Sequence, residues 1–440
     1  MNVRIEKLVY GGEGLGYAVE TPHSRTAKPP PERGKPAAVG KPVFVPFVLP
    51  EEVVEVFPVQ ETRKFVRALP EKILRAADER VEPDCSYFTR CGGCHYQHLP
   101  YEGQLRFKVE ILRETLRRLG EIDWMGDIPA LASPPWNYRN RIQLQLGPHP
   151  VRADRLQIGY YRQGSHALCD VAQCPISSPK LNELIRALHE LNDAGHLPRH
   201  LRQLEALATA EDAPGWLTLA APRLDFDAPA LAERLRRAWP GLASTLFLET
   251  STGERHLIGP GFTAYRLEED EFRISHNSFF QVNRYLLPEL PLRVGGELGG
   301  AAALDLYAGV GLFARTLARR FQRVVAVETE PDTAADLAAN CAQLGNVQAH
   351  CAEAGEFLTQ WHEPVDCVVL DPPRAGLSRE VADELIRLRP PLLRYLSCDP
   401  ATLARDLKAL APAFALESIA LLDLFPQTYH IETLTRLRAT

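Results

Sequence analysis

No apolar run in this 440-residue chain comes near the roughly 18 residues that a membrane-spanning helix needs, because charge or proline breaks each one first. The opening stretch MNVRIEKLVYGGEGLGY lacks the apolar core of a secretion signal, so the cytoplasm is the expected compartment. Positive charge is not in excess either. Fifty Lys and Arg against 56 Asp and Glu leave a net charge of -6. Bulk charge therefore gives no pointer to nucleic acid, although an electrostatic footprint can be local. A disulfide framework is also missing, since nine cysteines are an odd number in a long chain without a leader. Those thiols are left to metal binding, to catalysis or to burial as small apolar side chains.

What is present is the composition of a soluble globular protein, 45% hydrophobic and 24% charged, long enough for two or three domains. Up to about residue 75, short strands are predicted at Val3 to Val9, Leu15 to Glu20, Val43 to Leu49, Val53 to Gln60 and around Phe65. Many short strands with turn residues between them suggest a small β-barrel. The proline-rich stretch 21–42 interrupts them as a loop. From Leu99 to Leu119 a helix is predicted, with Leu105, Val109, Leu112, Leu116 and Leu119 on one face and Lys108 among the cations elsewhere on it. Residues 136 to 270 mix strands and helices without a catalytic motif. Beyond that, apolar runs at Ala303 to Tyr307, Val324 to Glu328, Val347 to His350, Cys367 to Leu370, Arg394 to Ser397 and Ala415 to Asp423 alternate with helices. This is the pattern of a largely parallel sheet. The expected organisation is a barrel over 1–75, a central α+β domain over 76–270 and an α/β Rossmann-like domain over 271–440.

Within that last domain, LDLYAGVG follows a strand and opens a helix, so Gly309 and Gly311 suit a sharp turn against a ligand. Glu328 ends the next strand, 23 residues after Asp305, where an acid can hold two ribose hydroxyls. A nicotinamide site would want a third glycine, and Ala314 and Arg315 stand in that region instead. The fourth strand ends in Asp371-Pro-Pro-Arg, a stiff loop suited to a wall beside a flat base. Together these features read as a methyltransferase.

The fifth strand ends in SCDP, which puts Cys398 at the same crevice as a candidate nucleophile. Carbon 5 of uracil is too poor a nucleophile to accept a methyl from a sulfonium, but a thiolate added to carbon 6 turns the ring into an enolate. A base must then remove the carbon 5 proton. Glu432 in LFPQTYHIET is the candidate, with His430 an alternative on chemistry alone.

Near residue 90, CSYFTRCGGC brings Cys85, Cys91 and Cys94 together, spaced by five and then two residues, and Cys174 in QCP or Cys169 could be a fourth ligand. Zinc favours two C-x2-C-like pairs. The unequal spacing fits an iron–sulfur cluster at least as well.

The run from LDLYAGVG through DPPRAG, SCDPATLARD and FPQTYHIE resembles the RNA 5-methyluridine methyltransferase family, in its ribosomal-RNA branch. That resemblance implies S-adenosyl-L-methionine as cofactor and a uridine in structured RNA as target, 23S ribosomal RNA ahead of transfer RNA. It implies Cys398 as nucleophile and Glu432 as base, with Gln281, Tyr307, Leu312, Glu328 and Asp371 around the cofactor. It also implies a [4Fe–4S] cluster on Cys85, Cys91, Cys94 and Cys174, and an RNA-holding TRAM barrel of the oligonucleotide-binding type at the N-terminus, with Arg63, Lys64 and Arg67 as support. The family commonly has Asn after the catalytic cysteine. This chain has Asp399, a carboxylate that would oppose a thiolate unless solvated or paired, for instance with Arg405.

Overall fold

Side chains alternate between buried and exposed along the first strand, β1 (Asn2–Val9), with Val3, Ile5 and Leu8 inward and a register shift after Ile5. β2 (Glu13–Ala18), β3 (Val43–Pro46), β4 (Val53–Glu61) and β5 (Val66–Arg75) close with it into a barrel in the order β1-β2-β3-β5-β4. Its core is small and β-branched: Val3, Ile5, Val45, Val54 and Val56. Gly16 is needed where β1 and β2 meet, since a Cβ there would lie 2.1 Å from the Arg4 carbonyl oxygen. The expected N-terminal barrel is thus present.

This computed structural model describes residues 1–19, 40–152 and 154–440. The proline-rich stretch lies outside them up to residue 39. Two compact units divide the described chain, Met1–Ile111 with Gln427–His430, and Leu112–Pro426 with Ile431–Thr440. The boundaries expected near 75 and 270 fall inside these units, and the observed division falls within the helix Tyr101–Gly120. That helix buries a different stripe from the one expected. Gln104, Phe107, Lys108, Ile111, Leu112 and Leu116 are buried while Leu119 is 54% exposed. Phe107 and Ile111 bring more apolar area than Leu105 and Val109, so the helix is turned toward them and takes Lys108 inside. In the first unit Gln104 and Gln427 exchange hydrogen bonds, side-chain amide to side-chain carbonyl at 2.9 Å and Gln427 amide to Gln104 Oε1 at 2.9 Å.

The second unit begins its strands with β6 (Ala130–Leu131). A seven-stranded sheet follows, built from β7 (Arg141–Pro148), β8 (Leu156–Tyr161), β9 (Leu168–Asp170), β10 (Gln203–Ala208), β11 (Pro214–Ala221), β12 (Ser244–Glu249) and β13 (Arg255–Ile258). Its order is β13-β12-β11-β10-β7-β8-β9, and helices Pro179–Asp193 and Ala228–Ala238 share its core. The hairpin β14 (Phe262–Leu267) and β15 (Asp270–Ser275) leads on to the α/β part. There β16 (Gly300–Leu306), β17 (Phe321–Glu328), β18 (Val347–Cys351), β19 (Cys367–Leu370) and β20 (Leu392–Ser397) are parallel, in the order β18-β17-β16-β19-β20. The last strands, β21 (Phe414–Leu422) and β22 (Glu432–Ala439), extend this sheet to eight by the order β20-β22-β21-β6, with β22 antiparallel to both neighbours. β19 is buried at all four positions, as a central parallel strand must be. No helix among the described residues is long and apolar enough to cross a membrane.

The close approach at Gly16 makes the barrel sensitive to one methyl group. Gly16→Ala is expected to destabilise it by about 1–3 kcal/mol through forced strand separation. Urea unfolding followed by fluorescence reads the change, and an unaltered midpoint would contradict the packing described.

Candidate active site

Parallel strands deliver their carboxyl ends to one edge of a sheet, and ligands of open α/β sheets sit there. At that edge β16 runs into Tyr307–Gly311, β17 ends in Glu328, β19 leads to Asp371 and β20 to Cys398. β22 runs the other way and starts there with Glu432. Ser397 pairs with Thr433, so the next residues outward, Cys398 and Glu432, stand opposite each other across the two strands. Directly opposed residues on antiparallel strands have Cβ atoms about 4.5–5.5 Å apart, within reach of side-chain contact.

The turn after β16 carries three positive φ angles, at Tyr307 (61°), Gly309 (56°) and Gly311 (96°). Glycine takes this conformation without strain, whereas Tyr307 does not, and such strain gathers at ligand sites. The Gly309 amide donates to Glu328 Oε2 at 2.9 Å, while Glu328 Oε1 accepts from the amides of Thr329 (2.8 Å) and Glu330 (3.0 Å). The turn and the acid are therefore locked together. Below them Asp305 is completely buried, and neither carboxyl oxygen makes a well-formed hydrogen bond. Burial, with Asp371 next in effect, holds its pKa well above the usual carboxylate range. An acid fixed on a glycine turn and open space where a Gly309 Cβ would be fit a ligand bringing hydroxyl donors.

Gln281 comes from a third segment and donates from Nε2 to Asp371 Oδ2 at 3.4 Å. Its approach is fixed by the buried Asp336, which accepts from Ser275 N (2.7 Å), Ser275 Oγ (2.7 Å), Ser278 Oγ (2.6 Å) and Arg273 Nε (2.8 Å). Two residues before Gln281, Phe279 is 58% exposed, an unusual place for a large aromatic ring.

Negative charge is crowded here. Burial pushes the Cys398 thiol up to about 12, with Glu432, Asp371 and Asp399 adding to the rise and Arg374 opposing it. Burial likewise raises Glu432 well above its usual range, helped by Asp371 and resisted by Arg374. Burial raises Asp371 as well, against its bond from Gln281. Asp399 is not paired with Arg405. Its side chain caps the helix Pro400–Leu410, accepting from Ala401 N at 2.9 Å and Thr402 N at 3.0 Å. Two charge-accepting amides soften its effect on the thiol.

The sheet edge thus brings together Cys398, Glu432, Asp371, Gln281, Glu328, Tyr307, Gly309 and Gly311. Leu312 is different. It is buried in the apolar core beside Phe313 and Leu317, so its side chain offers no polar atom to a cofactor. His430 is grouped with the first unit. Cys85, Cys91 and Cys94 are half-buried in the first unit, and Cys85 N donates to Gln97 Oε1 at 3.2 Å. Cys174 belongs to the second unit, fastened by Asn182, which accepts from its amide at 2.7 Å and donates to its carbonyl at 3.0 Å. Among the described residues no three His, Cys, Asp or Glu side chains gather to hold a metal ion. The position of Cys174 is set by Asn182 and apolar packing. Asp305, Arg374, Phe279 and Asp336 had no role assigned from sequence. Asp305 and Arg374 lie inside LDLYAGVG and DPPRAG, and Phe279 lies two residues before Gln281, whereas Asp336 sits mid-helix with nothing local to mark it.

Comparison with known proteins shows what the chain is similar to. The sequence model of the tRNA (uracil-5-)-methyltransferase family matches residues 100–439. An uncharacterized RNA methyltransferase of Aquifex aeolicus is 32% identical, over 99% of this chain and 98% of its own length. Another, from Thermosynechococcus vestitus, is 31% identical over 99% of this chain and 97% of its own. The solved tRNA (uracil-54, C5)-methyltransferase of Pyrococcus abyssi, in complex with S-adenosyl-L-homocysteine, superposes with a TM-score of 0.74 at 25% identity, covering 99% of this chain and 100% of that one.

A thiol raised to about 12 stays protonated through neutral pH, and its thiolate fraction grows about tenfold per pH unit below that value. Iodoacetamide is therefore expected to modify Cys398 more slowly than the exposed Cys351 at pH 7.5, with a rate still climbing at pH 9. Peptide mass spectrometry reads both sites, and a Cys398 rate that levels off near pH 7 would contradict the electrostatics.

Proposed function

The chain belongs to the tRNA (uracil-5-)-methyltransferase family, and we propose that it methylates a uridine in structured RNA through a covalent bond from Cys398 to carbon 6. Membership makes it an S-adenosylmethionine-dependent RNA (uracil-5-)-methyltransferase. The observation that carries the covalent reading is the pairing of β20 with β22, which sets a thiol opposite a buried carboxyl at the ligand edge. An N-methyltransferase has no use for that pair.

S-adenosylmethionine supplies an electrophilic methyl group on a sulfonium. Glu328 is suited to its ribose hydroxyls, and Tyr307, the Gly309–Gly311 turn, Asp305, Asp371 and Gln281 to the rest. A stacked uridine must first be turned out to meet a half-buried thiol, and the exposed Phe279 ring offers it a surface. With its thiol proton given up to solvent, the Cys398 thiolate adds to carbon 6, and the displaced ring electrons become an enolate centred on carbon 5. Carbon 5 takes the methyl, and the pair of the broken methyl–sulfur bond stays on the sulfur, leaving S-adenosylhomocysteine. Glu432 removes the proton from carbon 5, the C–H pair restores the ring double bond, and the sulfur departs with the C–S pair. Glu432 must be ionised for that last step, so its raised pKa makes the release step faster as pH rises.

The proposed substrate is 23S ribosomal RNA, on the resemblance of the barrel and the cysteine loop to the ribosomal branch, and the barrel is proposed as a TRAM module that holds RNA. Transfer RNA is the second reading, favoured by the Pyrococcus abyssi protein, which acts on uracil-54 of tRNA. The iron–sulfur reading of Cys85, Cys91, Cys94 and Cys174 rests on spacing and resemblance, and no catalytic step needs it.

Two variants test the mechanism. Cys398→Ala is expected to bind RNA and cofactor yet give neither product nor adduct. Glu432→Gln is expected to transfer methyl and then stall, leaving a slow-migrating protein–RNA band on a denaturing gel that requires Cys398 and S-adenosylmethionine. Running the assay on ribosomal and transfer RNA separates the two substrate readings. Full activity in Cys398→Ala would end the proposal.

Metal analysis tests the cysteines separately. Anaerobically purified protein is expected to hold about four irons per chain. Stoichiometric zinc, or no metal at all, would contradict the cluster.

A further inference from the structure

Arg374 sits in a turn whose closure is visible: the Gly376 amide donates to the Pro373 carbonyl at 2.8 Å, which puts Arg374 directly after the first residue of the turn. Gly376 has φ of 72°, and a Cβ there would lie 2.3 Å from Asp406 Oδ2 and 2.7 Å from Arg405 Nη2. The turn is pressed against a charged pair on the helix Pro400–Leu410. Arg405 Nη2 donates to the carbonyls of Ala375 (2.7 Å) and Leu377 (3.1 Å), and its Nε donates to Asp406 Oδ1 at 2.8 Å. Asp406, 2% exposed, accepts on Oδ2 from Leu377 N at 2.8 Å and from the Tyr395 hydroxyl at 2.7 Å. Tyr395 lies on β20, three residues before Cys398, and the helix itself starts immediately after Asp399. One buried carboxylate therefore ties the Arg374 turn to the strand and helix that flank the thiol.

We propose that Arg405 and Asp406 are positioning residues: they fix the Pro373–Gly376 turn so that the Arg374 guanidinium acts on Cys398 and Glu432. This rests on the reading of Cys398 as nucleophile. The need for such a cation follows from the surroundings. Glu432, Asp371 and Asp399 all oppose a thiolate, while Arg374 favours it. A guanidinium on an untied loop would spend its time in solvent, where its attraction is screened. Held by two carbonyl contacts, one amide contact and an ion pair whose carboxylate is buried, the turn has little freedom.

The test reads the thiol directly, without RNA or cofactor, so its outcome does not depend on whether uridine is the substrate. Iodoacetamide modification of Cys398 at pH 8.5 is measured by peptide mass spectrometry, with exposed Cys351 as internal reference. Arg374→Gln, Asp406→Asn and Arg405→Gln are each expected to slow Cys398 about three- to tenfold, the equivalent of about half to one pKa unit. Arg374→Gln combined with Asp406→Asn is expected to be no slower than Arg374→Gln alone. Arg405 is exposed, so its variant keeps the question open to measurement if Asp406→Asn does not fold. A merely structural pair predicts the opposite sign, because loosening the loop would expose the thiol and speed its modification. A faster or unchanged rate in the folded Arg405 variant would overturn the proposal. Failure of the nucleophile reading would show elsewhere, as activity surviving in Cys398→Ala.

Discussion

The antiparallel strand β22, inserted between β20 and β21, is the constraint on which the site depends. Every other strand from β16 to β20 runs parallel and delivers its carboxyl end to the ligand edge. Only an antiparallel neighbour can bring an amino-terminal end to that same edge, and β22 does so with Glu432 as its first residue. A slip of the β20–β22 register by one residue would turn Glu432 to the other face of the sheet, because side chains alternate with a period of two. The register is secured by burial on both sides, since Leu393, Tyr395, Leu396, Leu434 and Leu437 all lie in the interior.

The second consequence of that edge is electrostatic. Asp305, Asp371 and Glu432 are all raised by burial, and each one ionised makes its neighbours harder to ionise. Raised in this way, such groups favour the protonated, neutral form, and a positively charged ligand beside them would favour the ionised one. Burial, with the same crowding of carboxyls adding to it, raises the Cys398 thiol in the ligand-free protein. Asp399 illustrates how local structure tempers a threatening residue. Its carboxylate is already engaged by two helix amides.

Much of this was legible in the sequence where local signals and tertiary structure agree. Apolar runs bounded by turns located β16, β17, β19 and β20, because central parallel strands are largely buried on both faces and read as hydrophobic stretches, and they located β18 and β21 as well, although β18 is an exposed edge strand. Strand-end acids and the glycine turn were legible for the same reason: they follow those runs directly. Long-range partnerships were not. Arg405 could be suspected as a partner for Asp399, but it turns instead to its neighbour Asp406 and to the Ala375 and Leu377 carbonyls, 30 and 28 residues away in sequence, which no local pattern announces. The stripe of the helix Tyr101–Gly120 misled because a 3.6-residue period fits two adjacent faces, and Phe107 with Ile111 outweighed Leu119. Leu312 was carried in by motif likeness and proved to be a core residue. Cysteine spacing alone could not say whether four sulfurs meet.

The central claim is that carbon 5 of a uridine is the atom substituted, and RNA carrying tritium at that position reports it directly. Substitution at carbon 5 must expel the hydrogen it replaces. The account predicts one tritium released to water for each methyl group transferred, with the release abolished in Cys398→Ala. Methyl groups accumulating on the RNA while the tritium stays in place would place the reaction on nitrogen or oxygen and contradict it.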